Sequence, residues 1–361
     1  SLTLDSNLQY LIRKELINAE TDFHNIGSGA ILMDVENGKI LSLVSLPDYD
    51  LNQRVSISDN IYTNKITLGV YELGSVYKTF TIAAGLENKV INSNTIFKNL
   101  ENSLTCDKYT ITEHDKLPKN LSAEQILIRS SNIGAVRIAQ KVGIEKYKDF
   151  LNTLGLFDTI NFDLEEIGTP LPFVWGKCKL ATSSYGRGIT TTPLQLARAY
   201  AILGNGGYKI KPSILETKIK PLEKKEQIIS HKTSDAINLM LRKVVSLDEG
   251  TANFANIEGY DVGGKTGTSL KYNSKEKLNT FVSLFPASRP KYVLLVMLDE
   301  PKPAPNFLYE FPPSKKFPNG YKHKGEMRNT SGWNAVVVAG KIIEKIGPIL
   351  AINNLEASTK F

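Results

Sequence analysis

The chain has 361 residues, 41% apolar and 22% charged, and 44 Lys and Arg against 37 Asp and Glu leave a net charge of +7. The apolar share is ample for a core, and with no internal repeat or low-complexity linker one large domain over residues 1–361 is expected. Basic residues scattered among acids, without an aromatic-plus-basic RNA motif or zinc-finger spacing, exclude nucleic acid as a partner class, while a pI near 9.0 suits a surface beside anionic lipid headgroups and acidic peptides.

In chain order, a first helix is predicted from a cap near Asp5, then a hairpin of residues 30–35 and 39–46 around Asn37-Gly38. Gly74 permits a tight turn into a second helix beginning at Ser75, whose Val76, Phe80, Ala83, Ala84 and Leu86 form an apolar run. Ser122-Ala-Glu-Gln125 reads as a capping box, and the next apolar stretch, 133–142, ends at Gly143. Thr192-Pro193 opens a further helix, so residues 75–204 read as mainly helical. Another helix is predicted over 235–245, strands over 261–269, 280–285 and 291–298, and a last helix over 333–346. The fold class is therefore α/β (α+β), with an antiparallel sheet built from both ends of the chain. An α/β lobe of about residues 1–70 and 205–361 would carry an inserted helical lobe of about 71–204, with a catalytic cleft between them. The segment 301–331, rich in Pro and aromatics, is long for a strand-to-helix connection. It reads either as a mobile surface loop or as a border of the cleft that helps admit peptides.

Three short motifs carry chemistry. In Ser75-Val-Tyr-Lys78 a spacing of three puts both side chains on one helix face, so a desolvated Lys78 can act as base for the Ser75 hydroxyl. Ser130-Ser131-Asn132 lies at a junction between helices, where Ser130 can relay a proton to a leaving amine and Asn132 can bond Lys78 and a substrate amide. Lys265-Thr-Gly-Thr268 alternates along a strand, with Lys265 and Gly267 on one face and Thr266 and Thr268 on the other. Gly267 allows a substrate backbone to approach, the threonine hydroxyls suit a terminal carboxylate, and Lys265 supplies a positive field. The backbone N–H groups of Ser75 and Thr268 are the pair expected to form an oxyanion hole. Each motif alone has a plainer reading: a helix cap with an exposed lysine, a Ser/Asn turn, or a strand end. Three in this order argue for the active site of a serine acyl-transfer enzyme.

These motifs resemble those of the transpeptidase domain of class B penicillin-binding proteins, and most nearly the septal, cell-division type of Gram-negative bacteria, penicillin-binding protein 3. The resemblance extends over Gly27 to Val35, Val70 to Ser75, Tyr185 to Tyr200 and Tyr292 to Pro301. Leu73 stands where the family usually has proline, and Ser131 where related β-lactamases usually have Asp. The resemblance implies a penicillin-binding protein or serine β-lactamase-like fold, with a five-stranded antiparallel sheet flanked by helices. It also implies D,D-transpeptidation of peptidoglycan stem peptides through a Ser75 acyl-enzyme, and acylation by β-lactam antibiotics. A periplasmic domain is expected, behind a pedestal and a cytoplasmic (inner) membrane anchor preceding Ser1. A division-complex glycosyltransferase would be engaged through that N-terminal region. A serine β-lactamase, a D,D-carboxypeptidase, a penicillin sensor, a silent division scaffold and an amidohydrolase of other peptides are the rival readings. No cofactor or metal is expected, since His24, His114, His231 and His323 stand far apart and Cys106 and Cys178 are not a metal pair. Those two cysteines read equally as a disulfide or as free thiols.

Overall fold

The computed structural model describes residues 1–50, 52–53, 60–107, 109–216 and 225–358. Helix α1 (Ser6–Phe23) starts where Asp5 Oδ1 accepts the N–H groups of Asn7 at 2.8 Å and Leu8 at 3.1 Å, satisfying donors the helix itself cannot. Strands β1 (Gly27–Asp34) and β2 (Ile40–Leu46) form the expected hairpin, with Gly38 at φ +77° in the turn. Helix α2 (Lys78–Glu87) opens the helical lobe, which also holds β3 (Ile96–Phe97), β4 (Ser103–Cys106), β5 (Tyr109–Thr112), β6 (Leu121–Ser122), α3 (Ala123–Ile128), α4 (Asn132–Val142), α5 (Ile144–Thr153) and α6 (Lys177–Ser183). Then come α7 (Pro193–Gly204), α8 (His231–Ser246), β7 (Gly263–Leu270), β8 (Lys277–Phe285), β9 (Tyr292–Asp299), β10 (Ala304–Phe311), β11 (Tyr321–Glu326) and α9 (Ala335–Ser358).

The main sheet is five-stranded and antiparallel, in the order β2-β1-β9-β8-β7, so both ends of the chain contribute to it. The pair α1 and α9 packs on β1, β2, β8 and β9, and the pair α7 and α8 packs on β1, β7, β8 and β9. This double cover explains why β9 is buried at every position. Glu15, 2% exposed on α1, accepts from Lys345 on α9, which offsets the cost of a charge in the core. Strand β7 is left at the sheet edge, beside the turn that carries Ser75. Among the described residues, no helix is long and apolar enough to cross a membrane.

Four details differ from the sequence expectation. Ser75 sits in a 3-10 turn, Gly74–Tyr77, and α2 proper begins only at Lys78. The helical stretch contains the paired short strands β3–β6 and β4–β5, which are too brief for a periodicity signal. Helix α9 runs on through Gly347-Pro348, because Leu350 one turn later is still buried against the core. Residues 301–331 contain the β10–β11 hairpin, whose Phe307, Tyr309 and Phe311 pack against Phe23, Phe254 and Trp333. The open question of the cysteines is settled as a bond: Cys106 on β4 and Cys178 on α6 form a disulfide, with Cα atoms 5.6 Å apart.

Candidate active site

Gly74 has φ +67°, a conformation that costs glycine little, and it lies on the edge strand: a Cβ there would stand 2.7 Å from Thr268 O and 3.3 Å from Thr268 N. The turn into Ser75 is thereby pressed against the Thr268 backbone. Ser75 is 8% exposed, and Lys78, at the head of α2, is fully buried. Burial pushes the Lys78 ammonium down to about 7, against an upward pull from the Glu113 carboxylate. A lysine in that range is neutral often enough at physiological pH to accept a proton from a hydroxyl.

The three motifs converge on one atom. Ser130 takes a left-handed φ of +59° between α3 and α4, and its Oγ accepts from Lys78 Nζ at 3.0 Å and from Lys265 Nζ at 2.9 Å. Lys78 Nζ also donates to Ser130 O at 2.5 Å. Lys265, fully buried, is held well below the usual lysine range by burial and then by the Lys78 charge, and it donates further to Thr266 O and Thr266 Oγ1, each at 3.2 Å.

Asn132 departs from the expected bond to Lys78. Its Nδ2 donates to Thr112 O at 2.7 Å, while the buried Oδ1 has no partner among the described residues. On β7, Thr266 Oγ1 shares a 2.8 Å bond with Thr251 Oγ1, and Thr268 Oγ1 accepts from Ser331 N at 3.0 Å, which leaves the Thr268 hydroxyl proton available to an acceptor. The close neighbour of Gly267 is the chain itself: a Cβ there would lie 2.2 Å from Leu73 O.

Sequence reasoning missed the carboxylate that organises the second motif. Glu113, just after β5, accepts from Ser131 Oγ at 2.6 Å, Asn132 N at 2.7 Å and Ile133 N at 3.1 Å, serving the first donors of α4. Ser131, the N-cap, in turn accepts from Gly134 N at 2.9 Å. His114 beside it stands 3.4 Å from Asn132 Nδ2 and is held below its ordinary pKa by desolvation, then by the Lys78 charge. The β-branched run Tyr109-Thr-Ile-Thr112 was the available strand signal, but nothing local says which helix terminus Glu113 will meet.

The penicillin binding protein transpeptidase domain family matches residues 28–310. The chain is 31% identical over 365 aligned positions to a probable peptidoglycan D,D-transpeptidase FtsI of Caulobacter vibrioides, covering 97% of this chain and 59% of that protein. It is 32% identical to the stage V sporulation protein D of Bacillus subtilis, over 83% of this chain and 49% of that one. The chain thus spans about half to three-fifths of the length of these relatives. The transpeptidase domain of Burkholderia pseudomallei penicillin-binding protein 3 superposes with a TM-score of 0.79 at 26% identity, covering 96% of each chain. With the family matched over most of its length, the chain belongs to the penicillin-binding protein transpeptidase domain family.

Proposed function

We propose that the chain is the D,D-transpeptidase domain of a septal cell-wall enzyme, working through a Ser75 acyl-enzyme. Neutral Lys78 takes the Ser75 proton as Oγ attacks the carbonyl between the last two D-alanines of a stem peptide. The oxyanion is received by the N–H groups of Ser75 and Thr268. The C–N bond then breaks, Ser130 passes a proton from the lysine pair to the departing D-alanine amine, and an ester remains on Ser75. A side-chain amine of a second stem peptide attacks that ester, forming the cross-link and returning the proton to Ser75.

Strand β7 suits the donor peptide, because an edge strand has unpaired backbone groups for an extended chain. Lys265 and the hydroxyls of Thr266 and Thr268 suit its terminal carboxylate, the backbone at Gly267 lies alongside, and Asn132 Oδ1 suits an amide N–H. A β-lactam would acylate the same serine. Membrane anchoring, a periplasmic site and engagement of a division-complex glycosyltransferase belong to the same reading.

The observation that carries the reading is the joint bond of Lys78 and Lys265 to Ser130 Oγ, one motif-bearing side chain from each of three distant segments. Intact-protein mass after exposure to a β-lactam tests it. A single adduct stable over hours, absent from Ser75→Ala, is expected. An adduct lost within seconds as drug is consumed would mean a β-lactamase, and no adduct would overturn the acyl-enzyme.

A further inference from the structure

We propose that the Cys106–Cys178 disulfide is a positioning element of the catalytic centre, acting through Glu113, so that reducing the bond slows acylation of Ser75 without unfolding the protein. This rests on the acyl-transfer reading above.

The hairpin β4–β5 has two strands of four residues each, a size that is marginal on its own. Within residues 103–113, Ile111 is the one side chain described as fully buried, with Leu104 partly packed against the core. Besides that apolar packing, covalent and polar ties hold the hairpin at two places among the described residues. At its turn, Cys106 is bonded to Cys178 on α6. At its exit, Thr112 O and the Glu113 carboxylate hold Ser131, Asn132 and Ile133.

Those exit contacts matter because Ser130 is in a strained left-handed conformation and receives both lysines. A small shift of Glu113 therefore moves the atom on which the proton relay depends. Helix α6, the other end of the disulfide, packs on α4 and leads to Gly186. A Cβ at Gly186 would stand 1.9 Å from Gly74 O, so this segment supports the turn that carries Ser75. The bond thus ties together the two chain segments that brace the relay and the nucleophile.

The chemistry is a dithiol exchange. The reductant supplies two electrons and two protons, the S–S bond breaks to two thiols, and the reductant closes its own disulfide. Both cysteines are only partly buried, so a small dithiol has access.

The test measures the second-order rate of Ser75 acylation by a fluorescent penicillin. The chain is assayed oxidised, reduced with dithiothreitol and desalted, and reoxidised, with circular dichroism and thermal unfolding alongside. The expected fall on reduction is about tenfold or more, in keeping with the cost of sub-ångström to ångström misplacement, and reoxidation restores the rate. The Cys106→Ser/Cys178→Ser variant should match the reduced protein and ignore dithiol. In Glu113→Gln, itself slowed, reduction should add less than about twofold, because coupled groups are not additive. A rate unchanged by reduction would overturn the proposal, as would effects of reduction and Glu113→Gln that multiply. Loss of the cooperative unfolding transition on reduction would also overturn it, by making the bond a general staple. Failure of the oxidised protein to label at all would strike the acyl-transfer reading instead.

Discussion

Lys78 and Lys265 share a single acceptor: both side-chain nitrogens lie within 3.0 Å of Ser130 Oγ. Two fully buried lysines that close cannot both hold a proton cheaply, and burial moves both downward, Lys78 to about 7. The lowered value leaves Lys78 a neutral base above about pH 7 and an ammonium below it. Acylation should therefore rise with pH through about 7 and fall about tenfold per unit on the acid side. Glu113 pulls Lys78 upward, so Glu113→Gln should move that acid limb to lower pH even as it slows the reaction. A pH–rate profile of acylation checks both; a flat profile between pH 5 and 8 would remove Lys78 as the base.

Ser130→Ala separates relay from architecture. It removes the shared hydroxyl, so acylation should drop about 10²- to 10³-fold, the usual worth of a positioned proton donor. It also strips a hydrogen-bond acceptor from two buried lysine side chains, at about 1–3 kcal/mol. Ser130→Gly relieves the left-handed φ of +59° and should recover part of the stability with none of the rate. Equal recovery of rate and stability would mean that the hydroxyl acts only through the shape of the turn.

Gly267→Ala should harm activity from a position with no reacting group. Its Cβ would overlap Leu73 O at 2.2 Å and meet Val76 Cγ1 at 3.0 Å, so the turn into Ser75 must move. Overpacking of this kind costs about 1–3 kcal/mol. Displacing Ser75 by a fraction of an ångström should cost more in acylation rate, on the order of tenfold to a hundredfold. Thermal unfolding beside acylation kinetics would show the disproportion.

What the sequence made legible was of two kinds. Helix starts were read almost to the residue: the cap at Asp5, the Ser122–Gln125 box and the opening at Thr192-Pro193 all form, because each depends on neighbours within four positions. The motif residues Lys78, Ser130 and Lys265 come together at the Ser130 hydroxyl, and Ser75 lies one turn ahead of Lys78. Hidden were relationships set by distant packing. Glu113 is an unremarkable acid in sequence and a cap for α4 in space, and Asn132 turns to Thr112 O where a bond to Lys78 was expected. Gly267 was read as room for substrate, and Leu73 O fills the close approach. The disulfide spans 72 residues, beyond anything local spacing can choose.

The β10–β11 hairpin gives the last prediction, because it divides stability from turnover along its length. Its base is core: Tyr309 is 1% exposed, donates from its hydroxyl to Trp333 O at 3.0 Å, and packs edge-on to the Trp333 ring 5.1 Å away. Trp333 follows Ser331, whose N–H reaches Thr268 Oγ1, so the hairpin base is joined to β7 at Thr268. Tyr309→Ala should cost about 3–5 kcal/mol, as large aromatic truncations in cores do. The tip, residues 312–320, has no fully buried side chain. Replacing it with a two-residue turn should change stability by less than about 1 kcal/mol, in line with surface changes elsewhere. If the tip borders the path of the peptides, the shortened chain should still acylate with a small β-lactam at the native rate but turn over stem peptides several-fold differently. Unchanged peptide turnover would make the tip ordinary surface, whereas a matching loss with the small β-lactam would mean that the change had reached Thr268 through Trp333.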